Sequence, residues 1–232
     1  MGWTQIETLD GGGKFKAYVA EPAGTPKAAI VVIQEIFGVN EGIRRKADHW
    51  AELGYLAFAP DLFWRVEPGV ELDPDIPEQF QQALGLMGHF NQDQGISDIE
   101  ATIRAARARL PAGGKVGCVG YCLGGRLAFM TSARTDIDAS VGYYGVMIEH
   151  LLHEKHAIAR PLMLHIAGAD HFVGPEEQKV LHDGLDDHSR VVLHDYPGED
   201  HGFAAEMGKR RSEAAARLAD QRTEEFFAQH LA

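Results

Sequence analysis

A cysteine lies at the centre of the segment Gly120–Gly125, which reads GYCLGG. This is the glycine-flanked pattern G-x-S-x-G of a nucleophile elbow, with cysteine in the place of the usual serine. The nucleophile of such a strand-to-helix turn has a strained backbone, so the residues two before and two after it, Gly120 and Gly124, must lack a Cβ. The pattern predicts that Cys122 stands at a helix N-terminus, where the helix dipole and free N–H groups favour a thiolate.

Other reactive side chains follow predicted buried strands. Asp170 in GADHF comes after LMLHIAG, His201 in EDHGF comes after VVLHDYPGED, and Glu35 lies near the end of AAIVVIQ. The carboxyl ends of strands in an open α/β sheet meet at one edge, where ligands bind. The chain order nucleophile, acid, histidine predicts a triad. In it, His201 accepts and returns the proton of Cys122 while Asp170 holds the imidazole tautomer.

The predicted oxyanion hole consists of the backbone N–H groups of Leu123 and of Ile36, which lies in the loop after an early strand. Taken singly, each member of the triad has a simpler interpretation. Cys122 is then a small apolar residue, Asp170 a turn or cap residue, and His201 one of twelve histidines. The order of the three residues, each after a buried strand and with the elbow glycines present, favours the triad.

Alternating strands and helices position these residues. Buried apolar runs predict strands, while helical spacing with capping residues predicts helices. The predicted elements are a hairpin at Thr4–Leu9 and Lys14–Glu21, strands at Ala28–Gly38, Tyr55–Phe63, Lys115–Gly120, Ala139–Tyr144, Pro161–Gly168 and Arg190–Tyr196, and helices at Asn40–Gly54, Ile96–Leu110, Leu123–Ala133, Pro175–Leu185 and Ser212–His230. This alternation predicts one α/β domain over residues 1–232, with a mainly parallel sheet and helices on both faces. The Pro-rich and acidic segment Trp64–Gln94 interrupts it and is predicted to be an excursion near the active site.

Composition excludes several classes of partner and location. The formal net charge of −12 argues against nucleic acid and against an anionic membrane surface. The N-terminus has no signal-peptide pattern, and no apolar run reaches the ~18–20 residues of a membrane span. The two cysteines, Cys118 and Cys122, are too close together along a strand-to-helix junction for a bridge. We therefore expect free thiols and a cytoplasmic protein, with Cys118 in the core.

Three other features are predicted to be structural. His150, His153 and His156 recur at three-residue steps, but their spacing is not H-E-x-x-H, so a solvated helix face is favoured over a metal site. The basic stretches Arg44–Arg45 and Lys209–Arg211 are likewise predicted to be solvated helix surface. The pair Phe226–Phe227 is predicted to pack on the sheet rather than in an interface, which leaves a monomer or a weak homo-oligomer.

Five segments together match the pattern of a known family: QEIFGVN (Gln34–Asn40), GYCLGG (Gly120–Gly125), VGYYG (Val141–Gly145), GADHFV (Gly168–Val173) and HGFA (His201–Ala204). Through them, and over essentially its whole length, the chain resembles the dienelactone hydrolase family of α/β-hydrolases. The resemblance implies the three-layer α/β-hydrolase fold and an enzyme, without cofactor, that opens an enol-lactone with a Cys–His–Asp triad. By this resemblance Cys122 is the nucleophile, His201 the base and Asp170 the orienting acid, and Glu35 helps to activate the thiol.

The chain departs from this family in its substrate contacts. Members specific for dienelactone hold the substrate carboxylate with two arginines, and here the matching positions are Phe80 and Ala205. Neither side chain replaces a guanidinium. Arg65 in the excursion is the alternative arginine for binding the substrate carboxylate. The predicted substrate contacts are Phe37, Phe80, Tyr144 and Phe203.

The predicted activity is hydrolysis of a lactone or activated carboxylic ester through a thioester on Cys122. Activated esters are favoured because a tetrahedral intermediate expels thiolate more easily than an ordinary alkoxide. Three alternatives remain: a ligand-binding protein on the same fold, acyl transfer to an acceptor other than water, and an esterase for substrates without a carboxylate. The filled triad positions argue against the first, while acyl transfer shares its first half-reaction with hydrolysis.

Overall fold

The computed structural model describes all 232 residues and contains one eight-stranded sheet. The strand order is β1-β2-β4-β3-β5-β6-β7-β8, in which β3 to β8 are parallel and β1 and β2 are antiparallel to their neighbours. The predicted α/β fold with a mainly parallel sheet is therefore confirmed. The strands are β1 Gly2–Glu7, β2 Lys14–Ala20, β3 Ala29–Ile33, β4 Leu56–Pro60, β5 Val116–Tyr121, β6 Ala139–Tyr143, β7 Leu162–Ala167 and β8 Val191–Tyr196.

Helices cover both faces of the sheet, as two residues of β5 that point to opposite faces show. A Cβ built on Gly117 would lie 2.7 Å from the ring of Phe227, while one built on Gly120 would meet the backbone of the helix that follows β5. Successive residues of a strand point to opposite faces, so these two helices lie on opposite sides. The helices are α1 Glu41–Glu52, α2 Pro77–His89, α3 Gln92–Arg107, α4 Leu123–Arg134, α5 Pro175–Leu185 and α6 Glu213–His230, with a 3₁₀ helix at Ile148–Ala157.

The apolar run that predicts a strand over Ala28–Gly38 covers a shorter strand and a buried turn. β3 ends at Ile33, and residues 34–38 leave the sheet while staying buried. The side-chain oxygen of Gln34 accepts a hydrogen bond from the N–H of Leu62 (3.0 Å), which ties this turn to the chain after β4. Gly38 has a φ of +75°, and a Cβ there would lie 1.9 Å from the carbonyl oxygen of Val70. The run is apolar because the turn is buried, not because the strand is long.

The segment between β4 and α3 is fastened to the body of the protein by a buried carboxylate. Asp98 of α3 accepts hydrogen bonds from Trp64 Nε1 (2.8 Å) and from Arg65 Nη2 (2.9 Å). Arg65 also stacks on the Trp64 ring at 4.4 Å. Further along, the N–H of Leu72 donates to the carbonyl of Phe37 (2.9 Å). These anchors hold the part of the connection that precedes α2.

The C-terminal helix α6 covers the face of the sheet opposite to the one that α4 covers. Phe227 is fully buried and meets Trp50 of α1 edge to face, with ring centroids 5.3 Å apart. Phe227 also lies against Gly117 of β5, and Phe226 is buried beside it, so both side chains pack inside the protein. None of the helices combines the length and the apolar character that crossing a membrane requires.

Candidate active site

The turn between β5 and α4 has the geometry of a nucleophile elbow. Cys122 adopts φ 56° and ψ −115°, a strained conformation for a residue other than glycine. A Cβ on Gly120 would lie 1.9 Å from the carbonyl oxygen of Gly124, and a Cβ on Gly124 would lie 2.5 Å from that of Ile33. Both glycines are thus required by contact with backbone, which cannot move aside. The turn presents Cys122 at the first turn of α4, at the carboxyl edge of the sheet.

His201 and Asp170 form a buried pair at the same edge. Nδ1 of His201 lies 2.8 Å from Oδ2 of Asp170, and each side chain is only 1% exposed. The other oxygen of Asp170 accepts hydrogen bonds from the N–H groups of Phe172 (2.8 Å) and Val173 (3.3 Å). Nε2 of His201 is buried and has no hydrogen-bond partner among the protein groups. The carboxylate therefore fixes the imidazole orientation and leaves Nε2 free for chemistry.

Electrostatics at the site favour the protonated form of the His201 imidazole. Burial lowers the pKa of His201, but the negative charge of Cys122 and the hydrogen bond with Asp170 outweigh it and raise this pKa from 6.5 to about 10. Cys118 has a contrasting environment, because its burial raises the pKa of its thiol to about 12. The elbow and the His201–Asp170 pair are what distinguish the two thiols.

The two residues predicted to supply the oxyanion-hole amides lie near Cys122. Leu123 is the first residue of α4, so its N–H has no partner inside the helix. Ile36 lies on the wall of the pocket that contains Cys122 and His201. Both predicted oxyanion-hole residues therefore neighbour the thiol.

The Cys122 pocket has a volume of about 190 Å³ and mostly apolar walls. Two of the four predicted substrate contacts, Phe37 and Phe80, form part of it, with ring centroids 5.8 Å apart. The helix α2 supplies Phe80, Leu84 and Met87, so the connection after β4 builds one side of the pocket. The lining residues are Ile36, Phe37, Phe80, Leu84, Met87, Cys122, Val146, Met147, Phe172, His201 and Arg210.

The other two predicted substrate contacts do not line this pocket. Tyr144 is 2% exposed, and its ring meets His201 at 5.0 Å and Phe203 at 5.5 Å. Phe203 is 1% exposed and also packs on Tyr196 at 4.7 Å. Both aromatic rings are enclosed and pack around the imidazole, so neither stands on the wall of the Cys122 pocket. Their contact with a substrate stays a prediction.

An arginine that the sequence analysis assigned to solvated helix surface lies in the pocket. Arg210 belongs to the irregular connection before α6, and its Nη2 lies 3.6 Å from Oε1 of Glu35. Its guanidinium carbon is 5.5 Å from the centre of the Phe37 ring. A Cβ on Gly202, which has a φ of +80°, would lie 2.8 Å from Arg210 Nη1. Burial lowers the pKa of Arg210, but the negative charge of Glu35 outweighs it and raises this pKa above its usual value.

The sequence signal for Arg210 was weak. The segment from Gly202 to Ser212 has no helical or strand periodicity that would orient its side chains. The one available hint was that this connection begins directly after His201. By contrast Arg65, the arginine weighed in the sequence analysis, is bonded to Asp98 and does not line the Cys122 pocket.

Unpartnered buried polar atoms are concentrated at this site. Seven buried side-chain nitrogen or oxygen atoms have no hydrogen-bond partner in the protein, and five of them belong to Glu35, Tyr144, His201 and Arg210. Leaving such a group unsatisfied costs about 1–3 kcal/mol, so their clustering indicates a place built for a ligand or for water.

The side chains with metal-ligating atoms are arranged differently in two parts of the structure. His150 and His153 pair with their neighbours Glu149 (3.3 Å) and Glu154 (3.7 Å), and the three spaced histidines do not converge. The ligand atoms of Asp170, His171 and Asp200 lie within 4.8 Å of one another, but Asp170 already bonds His201. The chemistry described above needs none of them as ligands.

Similar proteins agree with this architecture. A putative dienelactone hydrolase structure from Klebsiella pneumoniae subsp. pneumoniae MGH 78578 superposes with a TM-score of 0.86 at 27% identity, covering 98% of each chain. A putative carboxymethylenebutenolidase of Azospirillum brasilense is 44% identical over 94% of this chain and 95% of its own. The carboxymethylenebutenolidase of Pseudomonas putida is 40% identical over 96% of this chain and 94% of its own.

The parallel sheet and the elbow at the end of β5 define an α/β-hydrolase. The sequence model of the Dienelactone hydrolase family matches residues 15–231. The chain belongs to the dienelactone hydrolase family and is a hydrolase.

Proposed function

We propose that this protein hydrolyses a lactone or an activated carboxylic ester through a thioester on Cys122. The observation that carries the proposal is the position of Cys122, on a strained elbow in an apolar pocket that it shares with the buried His201–Asp170 pair. The names of the two curated relatives point to the same class of reaction, since both are called carboxymethylenebutenolidases.

The geometry supports a two-step reaction. The Cys122 thiolate attacks the carbonyl carbon, and the N–H groups of Leu123 and Ile36 stabilise the oxyanion. The intermediate collapses with cleavage of the C–O bond, and protonated His201 gives its proton to the leaving oxygen. Water then attacks the thioester as His201 removes a proton from it, and cleavage of the C–S bond regenerates the thiolate. For a lactone the leaving oxygen remains attached to the acyl group, so the product is one hydroxy acid or its keto form.

Arg210 supports a substrate that carries a carboxylate. Two nitrogens of its guanidinium are buried without a hydrogen-bond partner, and the rest of the pocket is almost entirely apolar. A carboxylate on an apolar body satisfies those donors through charge-assisted hydrogen bonds. It also competes with Glu35 for the guanidinium, which leaves the Glu35 carboxylate free to act as a proton acceptor. Arg210 thus takes, from another position in the chain, the role that Phe80 and Ala205 cannot fill.

We further propose that the protein works in the cytoplasm as a monomer or weak homo-oligomer on a small-molecule substrate. The reaction needs Cys122 as a free thiol, and a reducing compartment preserves it. Both cysteines are free in the structure.

Trapping the acyl-enzyme tests the proposal. Brief incubation with an aryl ester should add one acyl group to the peptide that contains Cys122, as measured by mass spectrometry after acid quenching. Cys122→Ala should lose both the adduct and the hydrolysis of lactones and aryl esters, while Cys118→Ser should retain both. Turnover at the wild-type rate by Cys122→Ala would exclude the thioester route. Adding alcohols or amines as competing acceptors and analysing the products separates hydrolysis from acyl transfer.

A further inference from the structure

A second, smaller cavity shares no lining residue with the Cys122 pocket. Its walls include Glu35, Tyr144, Tyr121, Lys46 and Glu206. The methyl side chain of Ala205 also lines it, so a small residue at this position leaves the space open. Glu35 is therefore the residue through which the reactive pocket and this cavity can communicate, because it pairs with Arg210 of the first and lines the second.

The cavity has the size and polarity of a water site. The space open to the centre of a water molecule is about 10 Å³, which is roughly the room that a single water needs. Glu35 is 8% exposed and Tyr144 is 2% exposed, and each has a buried oxygen without a hydrogen-bond partner in the protein. A buried water bonds on average to about three polar groups, and Glu35, Tyr144 and Glu206 are candidates on the walls of this cavity.

Glu206 separates this cavity from solvent. Both Glu206 and Lys46 line the small cavity and also a surface cleft of about 330 Å³ whose walls are entirely polar or charged. Nζ of Lys46 lies 3.2 Å from Glu206 Oε1 and 3.2 Å from Asp220 Oδ1. Lys46 is only 7% exposed, whereas Glu206 is 28% exposed. Arg211 Nη1 lies 2.8 Å from the same Glu206 oxygen, so Lys46 and Arg211 together hold in place a carboxylate that lines both the cavity and the cleft.

We propose that the small cavity binds a water that joins Glu35 to Glu206, and that protons pass along this path between the active site and the charged cleft. The proposal rests on the proposed function in one respect. Ester hydrolysis near neutral pH forms a carboxylic acid that ionises, so one proton must leave the pocket in each turnover.

Each step of the path exchanges one O–H bond for another. The product acid gives its proton to the Glu35 carboxylate, Glu35 gives it to the bound water, and that water releases another proton to Glu206. Glu206 then loses the proton to water in the cleft. No group is oxidised or reduced, and Lys46 acts only as a positioning residue. The route matters because the other titratable groups of the pocket, Cys122 and His201, are needed as thiolate and imidazolium for the next turnover.

A crystal structure of the wild-type protein at high resolution tests the water site. We expect one ordered water within hydrogen-bond distance of Glu35, Tyr144 and Glu206, and its loss in Ala205→Leu, whose larger side chain fills the cavity. A dry cavity, or a water that bonds neither carboxylate, would overturn the inference. This measurement does not depend on activity, so it separates a failure of the inference from a failure of the proposed function.

Chemical rescue tests proton transfer. Glu206→Ala should lower kcat by about tenfold with little change in KM, a modest loss for a group that moves protons without touching substrate. Formate, a small carboxylate able to enter from the cleft, should restore kcat. Glu206→Gln should lose kcat without rescue, because its amide occupies the space that formate needs. Glu224→Gln, a change in the cleft but outside the cavity and without an ion pair to Glu206 or Arg211, should behave as wild type. Wild-type kcat in Glu206→Ala, or a loss that formate does not restore, refutes the relay.

Discussion

At the scale of single residues, the two cysteines show how backbone position determines reactivity. Cys118 lies within β5, and its thiol donates to Ser140 Oγ at 3.3 Å in a fully buried environment. Cys122 lies just beyond the end of the same strand, in the pocket with His201. Electrostatic stabilisation by His201 and by the first amides of α4 is available only at the second position.

Asp170→Asn should shift the alkaline limb of the pH profile. Because the pKa of His201 is raised to about 10, its proton is present below that pH and is lost as the pH rises through it. Wild-type kcat/KM for lactones should therefore fall near pH 10, where the leaving oxygen loses its proton donor. Removing the Asp170 charge lowers the pKa of His201, so the fall should begin at lower pH and the maximum rate should decrease. An alkaline limb at the same pH in both proteins would show that His201 is not the group that titrates.

Arg210→Gln should remove the preference for carboxylate-bearing substrates. A charge-assisted hydrogen bond contributes about 1.5–3 kcal/mol, which corresponds to about 10–100-fold in kcat/KM. Paired lactones or aryl esters with and without a carboxylate measure the ratio directly. Lys209→Gln, next to Arg210 but exposed, is the matched control and should keep the wild-type ratio. If the wild type shows no preference within such pairs, the carboxylate assignment is wrong.

At the scale of secondary-structure elements, the elbow and α2 have different tolerances for change. The elbow is fixed by backbone contacts at Gly120 and Gly124, where no side chain fits. The helix α2 meets the pocket through side chains only, and these can vary as long as the connection stays anchored at Asp98. The first element supplies reactivity and the second supplies shape.

Phe80→Ala should weaken selection for aryl substrates without affecting the thiol. The side chain packs on Phe37 at 5.8 Å, and the loss of an aromatic wall should cost about 1.5–3 kcal/mol of binding, which appears as a higher KM. The rate of Cys122 alkylation by iodoacetamide should stay within about twofold of wild type, since general acid–base groups are untouched. Gln81→Ala, on the exposed side of α2, provides the comparison. An unchanged KM for aryl esters would place the substrate elsewhere.

Local steric rules explain which parts of the molecule were predictable. The helix Pro175–Leu185 has its predicted bounds because proline marks its start, and the elbow follows from glycine spacing alone. The predicted strand Ala28–Gly38 was too long because apolar residues report burial, and a buried turn is as apolar as a strand. Arg210 was missed because its role depends on a contact with Glu35, far away in sequence, and no periodic pattern encodes such a contact.

At the scale of the whole molecule, a buried polar network joins the parallel sheet to the C-terminal helix. His165 of β7 is 1% exposed and pairs through Nδ1 with the hydroxyl of Tyr196 (2.8 Å) and through Nε2 with Thr223 Oγ1 (2.9 Å). Tyr143 of β6 reaches the same threonine at 2.6 Å. Burial above all, and then nearby positive charge, lowers the pKa of His165 well below its usual 6.5.

The protein should lose stability in mild acid through His165. Its depressed pKa means that, as pH falls below 6.5, the unfolded chain binds a proton that the folded chain excludes. This group alone contributes a slope of about 1.4 kcal/mol per pH unit to the free energy of unfolding. His165→Asn should be less stable at neutral pH but should show a shallower slope between pH 6.5 and 5 in urea denaturation. The exposed change His150→Asn should leave the slope unaltered, and an equal slope in His165→Asn would assign acid sensitivity to other groups.

Arg210 reaches the pocket from a connection that contributes to neither the sheet nor a helix, through a gap that Gly202 leaves open. For protein engineering, this arrangement means that libraries of variants at different positions would have different outcomes. Randomising the connection after Gly202, together with the pocket-facing positions of α2, would explore substrate preference on an intact reactive framework. Libraries at the elbow glycines would mostly yield misfolded chains. The protein therefore offers a starting point in which selectivity can be evolved while the chemical steps are held constant.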